Sequence, residues 1–330
     1  MYSHKLKLIT QVTLIALSIV TTSAKASCGK VTIAEMNWAS AQLVAYIDKH
    51  ILAVGFNCDV KLVPGDTMPT VTSMIESNNA AIAPEIWESK IRAYTLSPTQ
   101  SSLRLKTFLD AAKRDSLIKD TGKIYPDNAR DGFWIPAQIL KQYPSLATID
   151  GVLEHPELFP HPENPHRSAF YACPRDWSCH TATTNLYHLY KLDSYGFDLI
   201  IPTSGSDLAA SMSSANEQNR GWFGYYWEPT APLGKHQMIR VRLSEKGYEF
   251  ENLYVVKSYV SSGLFENRNV MQYLRRRQYP NHTMSQLLSR KEELQMTASD
   301  TVQYFLRNYE YLWTDWVTPH TSSKIKSSLN

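Results

Sequence analysis

The chain has 330 residues, with 34 Lys and Arg against 31 Asp and Glu, a formal net charge of +3 and 43% hydrophobic residues. Residues 1–26 hold three of the lysines and no acid, so the remainder balances 31 basic against 31 acidic residues. That balance leaves no electrostatic case for nucleic acid, and the length suits two domains or one large α/β unit.

The first element is a targeting segment. His4, Lys5 and Lys7 give a positive start, Leu8 to Val20 is an apolar run of thirteen residues, and Ala24 and Ala26 place small residues at the −3 and −1 positions of a cleavage site. The run is short of the roughly 20 residues that span a bilayer. Cys28 follows closely, but Lys25 stands where a lipid-attachment signal carries a bulky aliphatic residue, so a cleaved secretory signal, residues 1–26, is expected rather than a lipoprotein. No second apolar stretch approaches spanning length, and a soluble exported protein is expected.

Beyond the signal, Val31 to Ala34 reads as a strand. A helix capped by Ser40 follows, carrying Leu43, Val44, Ile47, Ile51 and Leu52 on one side and stopping at Gly55. Val60 to Val63 gives a second strand, Val71, Met74 and Ile75 a short helix, and Ala80 to Ile86 a third strand. This alternation predicts a parallel sheet with helices on its faces, with ligands beyond the carboxyl ends of the strands. Trp38 and Trp87 stand just past the first and third strands.

Phe133 to Pro136 reads as a strand entering a new lobe. His155, His161 and His166 lie in a Pro-broken loop whose spacing fits no metal site. Asp198 to Pro202 is a strand, Ser204 caps a helix through Leu208 and Met212, and Gly221 to Trp227 is an aromatic strand. Leu253 to Val260 is expected to cross back to the first lobe. Arg275, Arg276 and Arg277 read as a solvated helix face, and the helical spacing of Ala298 to Trp316 assigns Trp313 and Trp316 to packing. Asn281-His282-Thr283 matches a glycosylation sequon, relevant only in a eukaryotic secretory route.

Four cysteines in an exported chain suggest two disulfides. Three pairings are possible, and local ones, Cys28–Cys58 and Cys173–Cys179, are favoured. A zinc site of Cys173, Cys179, His180 and His188 is the sharper rival, disfavoured by the oxidising compartment. No nucleophile elbow, phosphate loop or dinucleotide fingerprint occurs.

Three segments place a Trp at a strand end or in a constrained loop: Ala83-Pro84-Glu85-Ile86-Trp87-Glu88, Cys173-Pro174-Arg175-Asp176-Trp177-Ser178-Cys179 and Tyr225-Tyr226-Trp227-Glu228-Pro229. On these segments the chain resembles the glycine betaine/choline-type periplasmic binding proteins of ABC importers, over essentially its whole length after the signal. The resemblance implies a two-lobed α/β fold of the type II-like periplasmic-binding-protein kind, each lobe a mostly parallel sheet flanked by helices, with the ligand in the cleft. The lobes are expected at 27–133 and 253–330 for the first and 134–252 for the second.

The resemblance further implies that Trp87, Trp177 and Trp227 box a quaternary ammonium head, and Trp38 falls where members of the family carry a residue near the pocket. Apart from the resemblance, Trp134 is a candidate further wall and Trp222 is undecided. The resemblance also implies that the backbone N–H groups of Ser178 and Cys179 meet a ligand carboxylate. A quaternary ammonium donates no hydrogen bond, so attraction to ring faces is what selects it. Glu88 and Glu228, each directly after a cage Trp, would favour a cation without a carboxylate if they faced the pocket, and otherwise form rim salt bridges. Glycine betaine is the leading ligand, with choline, carnitine, trimethylamine N-oxide and dimethylsulfoniopropionate as alternatives. The expected partner is an ABC permease in the inner membrane. A monomeric periplasmic receptor is expected, with no cofactor, no metal and no catalytic residue. The rival reading is an exported enzyme using Asp176 and His180 as an acid/base pair.

Overall fold

The computed structural model describes residues 28–77, 80–87, 110–175, 179–247 and 253–329. Within them the apolar alternation of the first segment gives β1 (Lys30–Met36), and the uninterrupted burial of β3 (Ile82–Trp87) makes it a central strand. With β2 (Asp59–Gly65), β4 (Ile118–Lys123) and β11 (Val256–Ser261) they form a sheet ordered β2-β1-β3-β11-β4. β1 runs parallel to β2 and β3, whereas β11 is antiparallel to β3 and β4, so the sheet is mixed.

A second sheet is ordered β10-β5-β8-β6-β7, with β9 (Met238–Val241) also paired to β5. Its strands are β5 (Ala129–Pro136), β6 (Ser168–Tyr171), β7 (Phe197–Ile200), β8 (Gly224–Glu228) and β10 (Leu253–Tyr254). The parallel portion is β8-β6-β7, and the pairs made by β5 are antiparallel. The chain therefore passes from the first sheet to the second through residues 124–128 and returns at Val255. The expected junction Phe133/Trp134 lies inside β5.

Each sheet has its own core. In the first, the helices Ala39–His50, Arg268–Arg276, Asn281–Glu293 and Ala298–Asn308 bury apolar faces around Tyr279, Phe305, Trp313 and Trp316. In the second, Phe133, Phe170, Phe197 and Phe223 cluster, with Phe133 4.7 Å from Phe170 and 5.6 Å from Phe223 between ring centroids. The short helix Ala231–Lys235, directly after β8, packs on Asn281–Glu293 so closely that a Cβ on Gly234 would stand 2.0 Å from the Ser285 carbonyl oxygen.

Three expectations change. Ser40 is not the helix cap. Trp38 occupies that position, and the buried Ser40 hydroxyl turns inward to Glu85. Arg277 is not on a solvated face. It is fully buried against Asp48, while Arg275 and Arg276 are exposed. The final helical pattern breaks at Asn308, and Trp313 and Trp316 are held in the core by a following turn. Among the described residues no helix is long and apolar enough to cross a membrane.

Candidate ligand-binding site

The ends of β1 and β3 lie side by side because the two strands are parallel, which brings the segments carrying Trp38 and Trp87 to one edge of the first sheet. Glu85 precedes Trp87 by two residues and so shares its face of β3. Trp38 Nε1–H donates to Glu85 Oε2 at 2.7 Å, the Ser40 hydroxyl donates to the same oxygen at 3.1 Å, and the Tyr125 hydroxyl donates to Oε1. Glu85 and Tyr125 are both completely buried. Burial pushes the Glu85 carboxyl up, and hydrogen bonds from Trp38, Tyr125, Ser40 and Trp87 pull it back towards the ionised form.

From Trp87 the aromatic chain continues to the lobe junction. The Trp87 ring centroid is 6.2 Å from that of Tyr254 on β10, which pairs with Ala129 at the start of β5. Two residues along β5, Asp131 lies opposite Trp227 of β8 and accepts a hydrogen bond from Tyr225 at 3.0 Å. Trp227 stacks on Tyr226 at 4.7 Å, stays partly exposed, and packs against the cores of both lobes. Trp38 and Trp87 meet at Glu85, which also holds Tyr125 of the crossing 124–128, and all three tryptophans border the first-lobe core.

The other tryptophans separate from this group. Trp134 is buried in the second core and donates its indole N–H to the Tyr226 carbonyl at 3.0 Å, bracing the strand that carries Trp227. Trp222 is buried, stacked on Tyr171 at 5.5 Å and bonded to Ser211. Asp176, Trp177, Ser178 and Glu88 lie outside the described residues.

The loop's two ends are in place. Cys173 and Cys179 form one disulfide and Cys28 and Cys58 the other, which removes both thiolates from the zinc alternative. Cys179 opens the helix His180–Leu189, and the loop's first end is pinned by Thr183 Oγ1, which accepts from Cys173 N–H at 3.2 Å. His180 Nδ1 lies 3.1 Å from the Cys173 carbonyl oxygen, so its ring is spent on the loop rather than aimed as an acid/base group. His155 pairs with Glu157, and His161 accepts from the Glu163 and Asn164 amides, loop fastenings both. Glu228 is half-buried with Arg130 3.8 Å away. Burial pushes its carboxyl up and Arg130 opposes this.

Sequence reasoning missed Glu85, Tyr125, Asp131 and Tyr254. Glu85 left a signal, an acid inside an otherwise apolar strand. The other three left none, because only tertiary pairing brings them to the junction.

Two mixed sheets flanked by helices, joined by two short crossings and edged there by tryptophans, define a two-lobed solute receptor of the periplasmic-binding-protein class. Residues 29–308 match the family model described as the substrate binding domain of an ABC-type glycine betaine transport system, and the chain belongs to that family. It is the substrate-binding receptor of an ABC importer of the glycine betaine type, not an enzyme.

Solved structures agree on the fold. An ABC-transporter choline binding protein in complex with choline superposes with TM-score 0.59 at 14% identity, over 92% of this chain and 99% of that one. The glycine betaine/L-proline-binding protein of Borrelia burgdorferi gives 0.59 at 13%, over 90% and 99%. A lactococcal relative, closed on glycine betaine, gives 0.58 at 13%, over 88% and 100%. Among curated protein sequences none matches.

Proposed function

We propose that this receptor captures a small trimethylammonium solute, glycine betaine first, between Trp87, Trp177 and Trp227, with Trp38 as a fourth wall and Trp134 as the brace behind Trp227. The observation that carries this reading is the set of Trp38, Trp87 and Trp227 along one lobe junction, two of them hydrogen-bonded to a single carboxylate. Each desolvated ring contact with the cation contributes roughly 2 kcal/mol, so three rings supply about 6 kcal/mol. Micromolar affinity needs about 8 kcal/mol net of the binding cost, and burial of the apolar methyl groups and the ligand's other end supply the rest. The Ser178 and Cys179 amides precede the helix His180–Leu189, whose unpaired N–H groups and dipole suit a carboxylate. A second reading, choline, is favoured by the buried acids Glu85 and Asp131 at the same junction. The chain is exported by cleavage after residue 26, works as a monomer in the periplasm and delivers its ligand to an inner-membrane ABC permease.

Calorimetry on residues 27–330 should show one solute among glycine betaine, choline, carnitine, trimethylamine N-oxide and dimethylsulfoniopropionate binding well below about 100 micromolar. Heat from none of the five at that concentration would end the cage reading. The Cys173→Ser/Cys179→Ser variant should keep the fold and lose about tenfold in affinity for glycine betaine, because the anchoring amides are no longer preorganised. Its affinity for choline, which has no carboxylate, should change far less, and equal losses would argue against the amide anchor.

A further inference from the structure

Glu85 is a carboxylate without solvent contact that meets, among the described residues, donors only and no cationic side chain. It accepts from Trp38, Ser40 and Tyr125, and Trp87 bonds to it as well. Burying such a group costs several kcal/mol unless hydrogen bonds to it offset the lost water, which four donors do here. The same donors show which groups the carboxylate acts on. Two are the indole N–H groups of proposed cage walls, and a third, Tyr125, sits on the crossing 124–128 between the lobes. An indole whose N–H points at an anion is pinned in orientation, and its ring face becomes more negative, the property that attracts an onium head. A charge within a ring's width of the head, in a medium far less polar than water, is attractive in its own right.

We infer that Glu85 is the residue that makes this site select a cation: it positions the Trp38 and Trp87 rings and supplies the buried negative charge behind them. This rests on the trimethylammonium reading above and deepens it. Glu85 touches the rings rather than the solute, so it is a positioning and specificity residue. The apolar shape of the cage alone would accept a tert-butyl group as readily as a trimethylammonium group, since the two are nearly the same size. Discrimination between them therefore reports the charge and not the fit.

The test is calorimetry on full-length mature protein with choline and glycine betaine, each beside the carbon isostere in which tert-butyl replaces the trimethylammonium head. Wild-type protein should prefer the cation. Glu85→Gln, which keeps the shape and the acceptor for Trp38, should lose about tenfold or more for the cation and little for the isostere. Its Tm at neutral pH should fall by no more than a few degrees, since removal of a buried charge is set against the acceptor lost on one side of the carboxylate. Glu85→Asp restores the charge and should recover the preference even where absolute affinity is lower, which keeps the test open if the Gln variant fails to fold. Equal losses for cation and isostere, or unchanged cation affinity in Glu85→Gln, would overturn the inference while leaving the cage intact. Wild-type protein that binds no trimethylammonium solute at all would remove the cage reading and this inference with it.

Discussion

Trp227→Ala should weaken binding of the trimethylammonium solute by at least about 30-fold, the equivalent of one desolvated cation–π contact of roughly 2 kcal/mol. Trp227 is partly exposed where the two cores meet, so truncation opens little buried volume, and the Tm should move by only a few degrees. Trp316→Ala should do the reverse. Its ring is buried, 5.0 Å from Tyr279 and 5.9 Å from Phe305 between centroids, and its removal leaves a cavity costing about 3–5 kcal/mol. In a chain of this size that corresponds to a Tm lower by about 10 °C, with affinity at low temperature unchanged. Thermal melts and calorimetry on both variants read the two effects independently. If Trp227→Ala kept its affinity within about threefold, the ring would be packing and not cage.

The pair also shows what the sequence could carry. Position relative to strand ends separated Trp38, Trp87 and Trp227 from Trp313 and Trp316, because strand ends in α/β sheets open on clefts while helical spacing faces cores. The first sheet's β1, β2 and β3 were legible because each strand's burial is written in its own residues. The return to the first sheet at β11 was legible as well, but its antiparallel pairing was not, because partners more than a hundred residues apart leave no local mark. Trp134, a candidate wall, and Trp222, undecided, are buried in the second core, and only their partners, the Tyr226 carbonyl and Ser211, show this. Glu228 drew attention as an acid beside a proposed cage tryptophan, and Glu88 lies outside the described residues. Among the described residues the acid bonded to the Trp38 and Trp87 rings is Glu85, inside the strand. A charge in an apolar strand costs too much to be incidental, and that cost was the available clue.

Arg277 was misread for the same reason in reverse: three consecutive arginines look solvated, and composition cannot tell which one turns inward. Arg277 and Asp48 are both fully buried and ion-paired, Tyr273 donates to the other Asp48 oxygen, and Arg277 also donates to Ser258. Burial pulls the guanidinium down to about 10, which still leaves it charged at neutral pH. Ser258 donates onward to the carbonyl of Pro84, the neighbour of Glu85, so the pair ties the helices Ala39–His50 and Arg268–Arg276 to the strands beneath the site. Arg277→Met should cost about 3–5 kcal/mol, because Asp48 is then a buried charge with no counter-ion, and Asp48→Leu should cost a similar amount. The double variant Asp48→Leu/Arg277→Met should be far less destabilised than the sum of the singles, since two apolar chains of comparable volume pay no desolvation. Denaturant unfolding of the four proteins closes this cycle. Additive losses would mean that the two groups are held by their separate hydrogen bonds and not by each other, and the tie between helices and strands would then run through Tyr273 and Ser258 alone.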